Sequence, residues 1–224
     1  MTFTYTDSGL PAGTYYYVIT VVNSTGSEIL TSNEAKVLAD IRQLQTYFTF
    51  DGSIGNLTNG TIIVDSSGSG NNAVLSGNAS LIPGVRGQAL QLDGASSYLN
   101  LTLSTINLSD FTIATWININ AQRGYGRLFD FGYGTNKYMY FVPQTSNGYA
   151  SYMITFNTGG GEQGVTTPFT LPTGQWLHFA VTYYGTTLSV YVNGNFVAGG
   201  QVPLPPYQLR EASDNPASIT IGKS

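Results

Sequence analysis

The chain has 224 residues, enough for one large β-sandwich or two small domains, and 42% of them are hydrophobic, which is ample for a buried core. Only 9% are charged, against roughly a quarter in ordinary soluble domains, and the net charge is -4, so nothing favours nucleic acid or an anionic membrane as a partner. The absence of cysteine excludes disulfides, thiolate metal sites and thiol nucleophiles. The sequence also has no run of about 18 apolar residues, the length that a membrane-spanning helix needs.

The first part of the chain is predicted to form a β-hairpin. Residues 15–22 alternate in a period of two, residues 23–27 (NSTGS) supply a turn, and residues 28–30 form a second short strand. Polar residues near 40–43 are typical of a linker.

These segments resemble the last two strands of a fibronectin type III domain. The resemblance rests on residues 10–15 (LPAGTY), 21–23 (VVN) with Gly26, and 32–34 (SNE), and it places Tyr15 at the tyrosine-corner position. We therefore expect a partial fibronectin-like unit over residues 1–38, without its first five strands, and a linker over 39–44.

From Tyr47 onward, short runs of β-branched and aromatic residues recur between turns, and no segment shows a sustained helical period. Asn193-Gly194 is a strong two-residue hairpin turn, because both positions favour positive φ. The fold class is therefore all-β, an antiparallel β-sandwich. The predicted strands cover residues 47–50, 89–92, 98–101, 111–119, 127–131, 138–142, 152–156, 176–184 and 188–192.

Residues 45–224 resemble the laminin-G-like jelly roll of the concanavalin A-like lectin and glucanase superfamily. The motifs are residues 47–52 (YFTFDG), 65–71 (DSSGSGN), 87–94 (GQALQLDG), 111–117 (FTIATWI), 176–183 (WLHFAVTY), 191–194 (YVNG) and 219–224 (ITIGKS). The resemblance implies further closing strands after residue 224. We therefore expect the chain to begin and end inside domains, with residues 47–50 forming an open edge that pairs with another segment.

Three ring side chains lie in the most hydrophobic predicted strands, and we expect them to be structural. Trp116 and Trp176 have apolar neighbours at alternate and adjacent positions, which predicts strands buried on both faces and tryptophans in the core. The only histidine, His178, lies within the same motif and is interpreted as part of the scaffold rather than as a catalytic base.

The acidic residues do not form a glycosidase motif. Retaining glycosidases need two carboxylates about 5–5.5 Å apart, which glucanases of this superfamily place at alternate positions of one strand. The acids of this chain are instead scattered and lie mostly at turns, so we expect no enzymatic activity.

A structural calcium ion is one interpretation of the turn that begins at Asp65. Asp51 and the polar segment 65–72 offer the oxygen ligands that Ca²⁺ prefers, and the family resemblance implies a calcium near the first strand in some members. The alternative is plain turn chemistry, since Asp, Asn, Ser and Gly close tight turns without a metal.

The segment 124–164 combines many tyrosines with amide and basic side chains, a mixture that suits sugars. Half-buried strand positions would explain the same tyrosines equally well. The candidate carbohydrate-binding residues are Tyr125, Tyr133, Asn136, Tyr138 and Tyr149.

The leading hypothesis is a non-catalytic extracellular module of a secreted bacterial polypeptide, which binds a polysaccharide or glycan for a neighbouring glycoside hydrolase. The partners would be that glycan and the remaining domains of the parent polypeptide. The alternative is a cell-surface adhesion or spacer module that binds protein or nothing, and a glucanase-type hydrolase is the least favoured.

Overall fold

The computed structural model describes residues 13–17, 20–22, 25, 28–31, 35–39, 44–101, 109–133, 136–157, 160–209 and 218–223. The chain divides into two compact units, Met1–Gln45 and Thr46–Ser224. Within the described ranges, no helix has the length and apolar character needed to cross a membrane.

The first unit contains two antiparallel strand pairs. β2 (Thr20–Val22) pairs with β3 (Glu28–Thr31), and β1 (Gly13–Tyr17) pairs with β4 (Ala35–Ala39). β4 was not predicted, and the predicted strand over 15–22 is represented by β1 and β2. Most of the residues on which the fibronectin resemblance rests, and the linker near 40–43, lie outside the described residues, so that resemblance stays a prediction.

The second unit is built from antiparallel strands joined by turns and loops, with a one-turn 3₁₀ helix at Pro206–Leu209. The strands are β5 (Gly55–Leu57), β6 (Ile62–Ile63), β7 (Ala73–Ser76), β8 (Ala79–Pro83), β9 (Gln88–Leu92), β10 (Tyr98–Leu101), β11 (Phe111–Asn118), β12 (Phe129–Tyr133), β13 (Lys137–Val142), β14 (Ser151–Thr155), β15 (Gln163–Thr166), β16 (Trp176–Tyr184), β17 (Thr187–Val192), β18 (Asn195–Gln201) and β19 (Ser218–Ile221).

Two large sheets face each other across one core. The first has eight strands in the order β15-β14-β13-β12-β19-β10-β7-β6, and the second has four strands in the order β11-β16-β17-β18. A smaller sheet, β5-β8-β9, completes the unit. The all-β sandwich predicted from the sequence is confirmed.

Side chains alternate between core and solvent along the strands, as a pleated backbone requires. Phe141 on β13 meets Phe179 on β16 with ring centroids 4.1 Å apart, which joins the two large sheets directly. Tyr152, Leu188 and Val181 are fully buried in the same core. Each fully buried aromatic or aliphatic side chain of this kind contributes roughly 1.5–3 kcal/mol through the hydrophobic effect.

The strand predicted at residues 47–50 is absent. Tyr47 instead donates its N–H to Asp65 Oδ1 (2.8 Å) and accepts a hydrogen bond from the Ser66 N–H at its carbonyl (2.7 Å). Phe50 has φ of 57°, which is incompatible with an extended strand. The alternation of aromatic residues therefore reflects packing of Phe48 and Phe50 against the core rather than hydrogen bonding to a neighbouring strand.

The prediction that both tryptophans belong to the core is wrong, because Trp116 is 47% exposed and Trp176 is half-buried on the same outer face. In register, Trp116 lies opposite His178 and Ile117 lies opposite Leu177. Ile117 and Leu177 point into the core, so alternation turns Trp116 and His178 to the outer face. These strands are apolar mainly on one face, not on both.

Candidate functional site

The outer face of the eight-stranded sheet carries a group of polar and aromatic side chains on and beside β12 and β13. Met139 and Phe141 point into the core, so Tyr138 and Tyr140 lie on the opposite face of β13, where Tyr138 is half-buried and Tyr140 is buried. Their rings are 5.7 Å apart and nearly parallel, at 27°. Gly132 lies opposite Tyr138, where an added Cβ would collide with the Lys137 carbonyl oxygen and approach Tyr138 Cα to 2.6 Å, so only glycine fits beside the backbone of β13.

Both phenols converge on one carboxylate. Tyr138 donates its hydroxyl to Glu162 Oε1 at 2.7 Å, and Tyr140 donates to the same oxygen at 3.3 Å. Burial and the charge and hydrogen bond of Glu162 raise the pKa of Tyr138 to about 12 and raise that of Tyr140 further. Both phenols are protonated at neutral pH, as tyrosines ordinarily are, and donate their hydroxyls to Glu162.

A guanidinium group packs against the same rings. Arg127 donates from Nη1 to Asp130 Oδ2 (2.5 Å), and its Cζ lies 4.4 Å from the centre of the Tyr140 ring. Its Cζ is also 5.8 Å from the centre of the Tyr138 ring. Arg127, Asp130, Tyr138, Tyr140 and Glu162 form what we call the tyrosine cluster.

The cluster offers the groups that recognise a sugar. A half-buried tyrosine ring can stack on the C–H face of a sugar, while a carboxylate and a guanidinium bind its hydroxyls. Because Glu162 and Arg127 hold the tyrosines in place, little side-chain entropy is lost on binding.

The residues predicted from the sequence do not form one site. Tyr138 belongs to the tyrosine cluster, whereas Tyr125 and Tyr149 lie in loops beyond the other end of β13 and are 52% and 41% exposed. Asn136 is exposed in the turn between β12 and β13. Tyr133 is the last residue of β12, and its side chain is not among those that the structure describes.

Tyr125 and Tyr149 belong to two loops that contact each other. Tyr125 has φ of 63°, donates its N–H to the Gln144 carbonyl (2.9 Å), and its hydroxyl lies 3.5 Å from Ser146 Oγ. Thr145 donates both its N–H and its hydroxyl to the Tyr149 carbonyl. These tyrosines are held at a loop surface, separate from the tyrosine cluster.

The turn at Asp65 does not fit a calcium site. Asp65 Oδ1 accepts hydrogen bonds from the N–H groups of Tyr47 and Ser67, and Oδ2 accepts them from the Ser67 hydroxyl and the Asn71 N–H. These four bonds use the acceptor sites that a metal would need. Although burial alone would raise it, these hydrogen bonds lower the pKa of Asp65 to about 2.

The second candidate ligand, Asp51, lies in an exposed segment beside Gly87. In the described part of the chain, no three His, Asp or Glu side chains come together in a way that could hold a metal ion. The donors around Asp65 support the turn interpretation of this segment.

The fold and the comparisons with known proteins agree on the class. Two facing antiparallel sheets with these strand connections form a jelly-roll β-sandwich. A family model described as the concanavalin A-like lectin/glucanases superfamily matches residues 93–224, more than half of the chain. The chain therefore belongs to this superfamily, and the laminin-G-like resemblance is confirmed over residues 93–224. No curated protein sequence matches it.

Solved structures with a similar fold include domain 4 of AbnA, a GH43 extracellular arabinanase from Geobacillus stearothermophilus, in complex with arabinotriose. It is 19% identical, with a TM-score of 0.62 over 77% of this chain and 85% of that one. An S-layer domain-containing protein from Clostridium thermocellum is 31% identical over 76% and 78% of the two chains, with a TM-score of 0.44. The carbohydrate-binding module CBM66 from Bacillus subtilis is 13% identical over 65% and 84%, with a TM-score of 0.40.

Proposed function

We propose that this chain is a non-catalytic, extracellular carbohydrate-binding module of a larger secreted polypeptide. The observation that carries the proposal is the tyrosine cluster, in which an outward tyrosine ring is fixed between a carboxylate and a guanidinium on the face of a sheet. By holding a polysaccharide, the module would raise the effective concentration of substrate for a neighbouring glycoside hydrolase.

The similarity of fold to domain 4 of an extracellular arabinanase supports this proposal. That domain is a part of a carbohydrate-active enzyme and binds arabinotriose. At 19% identity the similarity concerns the fold, so arabinan is a first ligand to test rather than an assigned one.

A binding role fits the cluster better than hydrolysis does. A glycosidase needs one carboxyl group to protonate the leaving oxygen and a second to act as nucleophile or base. Here Glu162 accepts hydrogen bonds from two phenols, and Asp130 is paired with Arg127. Both acids are thus engaged in holding the cluster together. Calcium is not part of the proposal, because the hydrogen bonds at Asp65 take up its oxygens.

Native affinity electrophoresis in gels that contain arabinan, xylan, mixed-linkage β-glucan or levan tests the proposal. We expect at least one polysaccharide to retard the chain, and Tyr138→Ala to weaken that retardation about three- to tenfold through loss of ring stacking. Glu162→Gln should weaken it less, since the amide keeps an oxygen acceptor for the two phenols.

Tyr125→Ala and Tyr149→Ala are the matched controls, because both tyrosines are exposed but lie outside the cluster. If these two variants lose retention while Tyr138→Ala keeps it, the binding site lies at the loops. If none of the four polysaccharides retards the parent chain, the proposal of a carbohydrate-binding module is wrong, and an adhesion or spacer module is favoured.

A further inference from the structure

The outer face of the four-stranded sheet carries exposed rings that the tyrosine cluster does not use. Trp116 is 47% exposed and meets His178 edge to face, with ring centroids 5.3 Å apart. Phe196 is 62% exposed and meets Tyr191 in the same way at 5.9 Å. Trp176 lies beside the first pair, opposite Asn118 in register. We call these five ring side chains the aromatic face.

The four strands that carry these rings, β11, β16, β17 and β18, hold no carboxylate, ammonium or guanidinium group. The outer face of the eight-stranded sheet, in contrast, carries Arg127, Asp130 and Glu162 around its tyrosines. An uncharged face offers no electrostatic complement to a charged polymer and suits a neutral partner.

The outward residues also distinguish a sugar from a protein partner. On β11, β16 and β17 the side chains that alternate outward are aromatic, hydroxyl, amide, imidazole or methyl groups, with no Leu, Ile, Val or Met among them. The polar ones beside the rings are Thr112, Asn118, Thr182, Thr187 and Ser189. Ring faces interspersed with hydroxyls and amides match the C–H faces and hydroxyls of sugar rings.

The sheet also gives the rings a suitable spacing. Ala114 pairs with Ala180, which pairs with Tyr191, so two methyl groups lie in register beside the second ring pair. Trp116 and Tyr191 stand on strands separated by one intervening strand, which places them on the order of 10 Å apart. An extended chain of sugar rings could cross the strands and contact both ring pairs.

We propose that the aromatic face is a second carbohydrate-contact surface, specific for an uncharged polysaccharide chain. It shares the ligand class of the proposed function but rests on different residues, so each can fail without the other.

Tryptophan fluorescence and affinity electrophoresis of the intact chain test this surface with the same four uncharged polysaccharides. Trp116 and Trp176 are the only tryptophans, so a polysaccharide bound here should shift the emission to shorter wavelength. We expect Trp116→Ala to abolish most of that shift and to weaken retention about three- to tenfold. Phe196→Ser, at the other ring pair, should also weaken retention. This second variant keeps the test valid if Trp116→Ala does not fold.

Tyr184→Ala is the matched control, since Tyr184 is 68% exposed on the same sheet but lies outside both ring pairs. Tyr138→Ala should leave the emission shift intact, because it removes a ring from the other sheet. The inference is overturned if no polysaccharide shifts the emission and both aromatic-face variants are retained like the parent. It is overturned equally if the parent is a dimer in sedimentation experiments and Trp116→Ala makes it a monomer, since a second copy then covers the face.

Discussion

The Asp65 carboxylate accepts hydrogen bonds from residues that precede it and from residues that follow it in the sequence. Its carboxylate receives the N–H of Tyr47, 18 residues earlier, and the N–H groups of Ser67 and Asn71 just after it. Asn72 closes the turn by accepting the Asp65 N–H at its Oδ1, 2.9 Å away. The carboxylate thus joins the segment around Tyr47 to a tight turn in the absence of a strand ladder there.

Replacing this carboxylate should destabilise the sandwich. Asp65→Asn removes a charge that accepts four hydrogen bonds and presents amide hydrogens to N–H donors, so we expect a loss of about 1.5–3 kcal/mol in the free energy of unfolding at pH 7. Denaturant titration followed by intrinsic fluorescence measures this loss. Asp51→Asn, at an exposed aspartate, should change stability by less than about 0.5 kcal/mol.

The same effect has a defined dependence on pH. The folded-state pKa of Asp65, about 2, lies below its ordinary value of 3.8, so its contribution is fully present above about pH 4 to 5 and is lost as pH falls toward 2. The difference in stability between the parent and Asp65→Asn should therefore shrink between pH 5 and pH 2. A difference that stays constant over this range would show that the carboxylate charge is not what stabilises the turn.

The candidate site could be predicted only in part, for a reason visible at single residues. Tyr138 was identified because tyrosines and amides are dense in its segment. Its partner Glu162 lies 24 residues away in the sequence. The two side chains meet because Tyr138 pairs with Thr155 at the end of β14, and Glu162 directly precedes β15, which pairs with β14. Tyr125 and Tyr149 have the same composition around them but lie at a different place in the fold. Local composition carries no information on register, which is what separates these residues.

At the scale of elements, the two longest strands, β11 and β16, were predicted well, and most of the missed strands have five residues or fewer. β16 has the predicted bounds, Trp176–Tyr184, because nine alternating residues give a strong pattern. β5 and β6 have three and two residues and are flanked by polar turns, so they carry almost no periodicity. Aromatic residues at alternate positions produced a false strand over residues 47–50. The side of the sheet on which Trp116 lies depends on its pairing with His178, which hydrophobicity alone does not reveal.

The hairpin between β17 and β18 allows a matched test of backbone strain. Asn193 and Gly194 have φ of 51° and 79°, as the sequence predicted for a two-residue turn. An added Cβ would meet no atom within 4 Å at Gly194 or at Gly124, but only Gly194 has a left-handed backbone. We expect Gly194→Ala to cost about 1–2 kcal/mol and Gly124→Ala to be neutral or slightly stabilising. Thermal unfolding of both variants checks this, and equal melting temperatures would contradict it.

At the scale of the whole molecule, one sandwich presents two chemically different outer faces. The eight-stranded sheet displays the charged and phenolic tyrosine cluster, and the four-stranded sheet displays the uncharged aromatic face. The shared core fixes both, since Phe141 and Phe179 bring the two sheets into contact. Fold class and superfamily followed from the order of motifs along the chain, but the two faces depend on which residues of each strand point outward.

If this chain binds polysaccharide and a separate domain hydrolyses it, as we propose, the chain alone should have no hydrolase activity. Asp130 and Glu162 are the two acids that the fold brings to one cluster, and they hold Arg127 and the two tyrosines rather than standing free beside a substrate. We expect no release of reducing sugar above background from arabinan, xylan, mixed-linkage β-glucan or levan after prolonged incubation. Glu162→Gln and Asp130→Asn should behave as the parent does in this assay. Turnover by the parent that either substitution abolishes would identify these acids as a catalytic pair and overturn the proposed binding role.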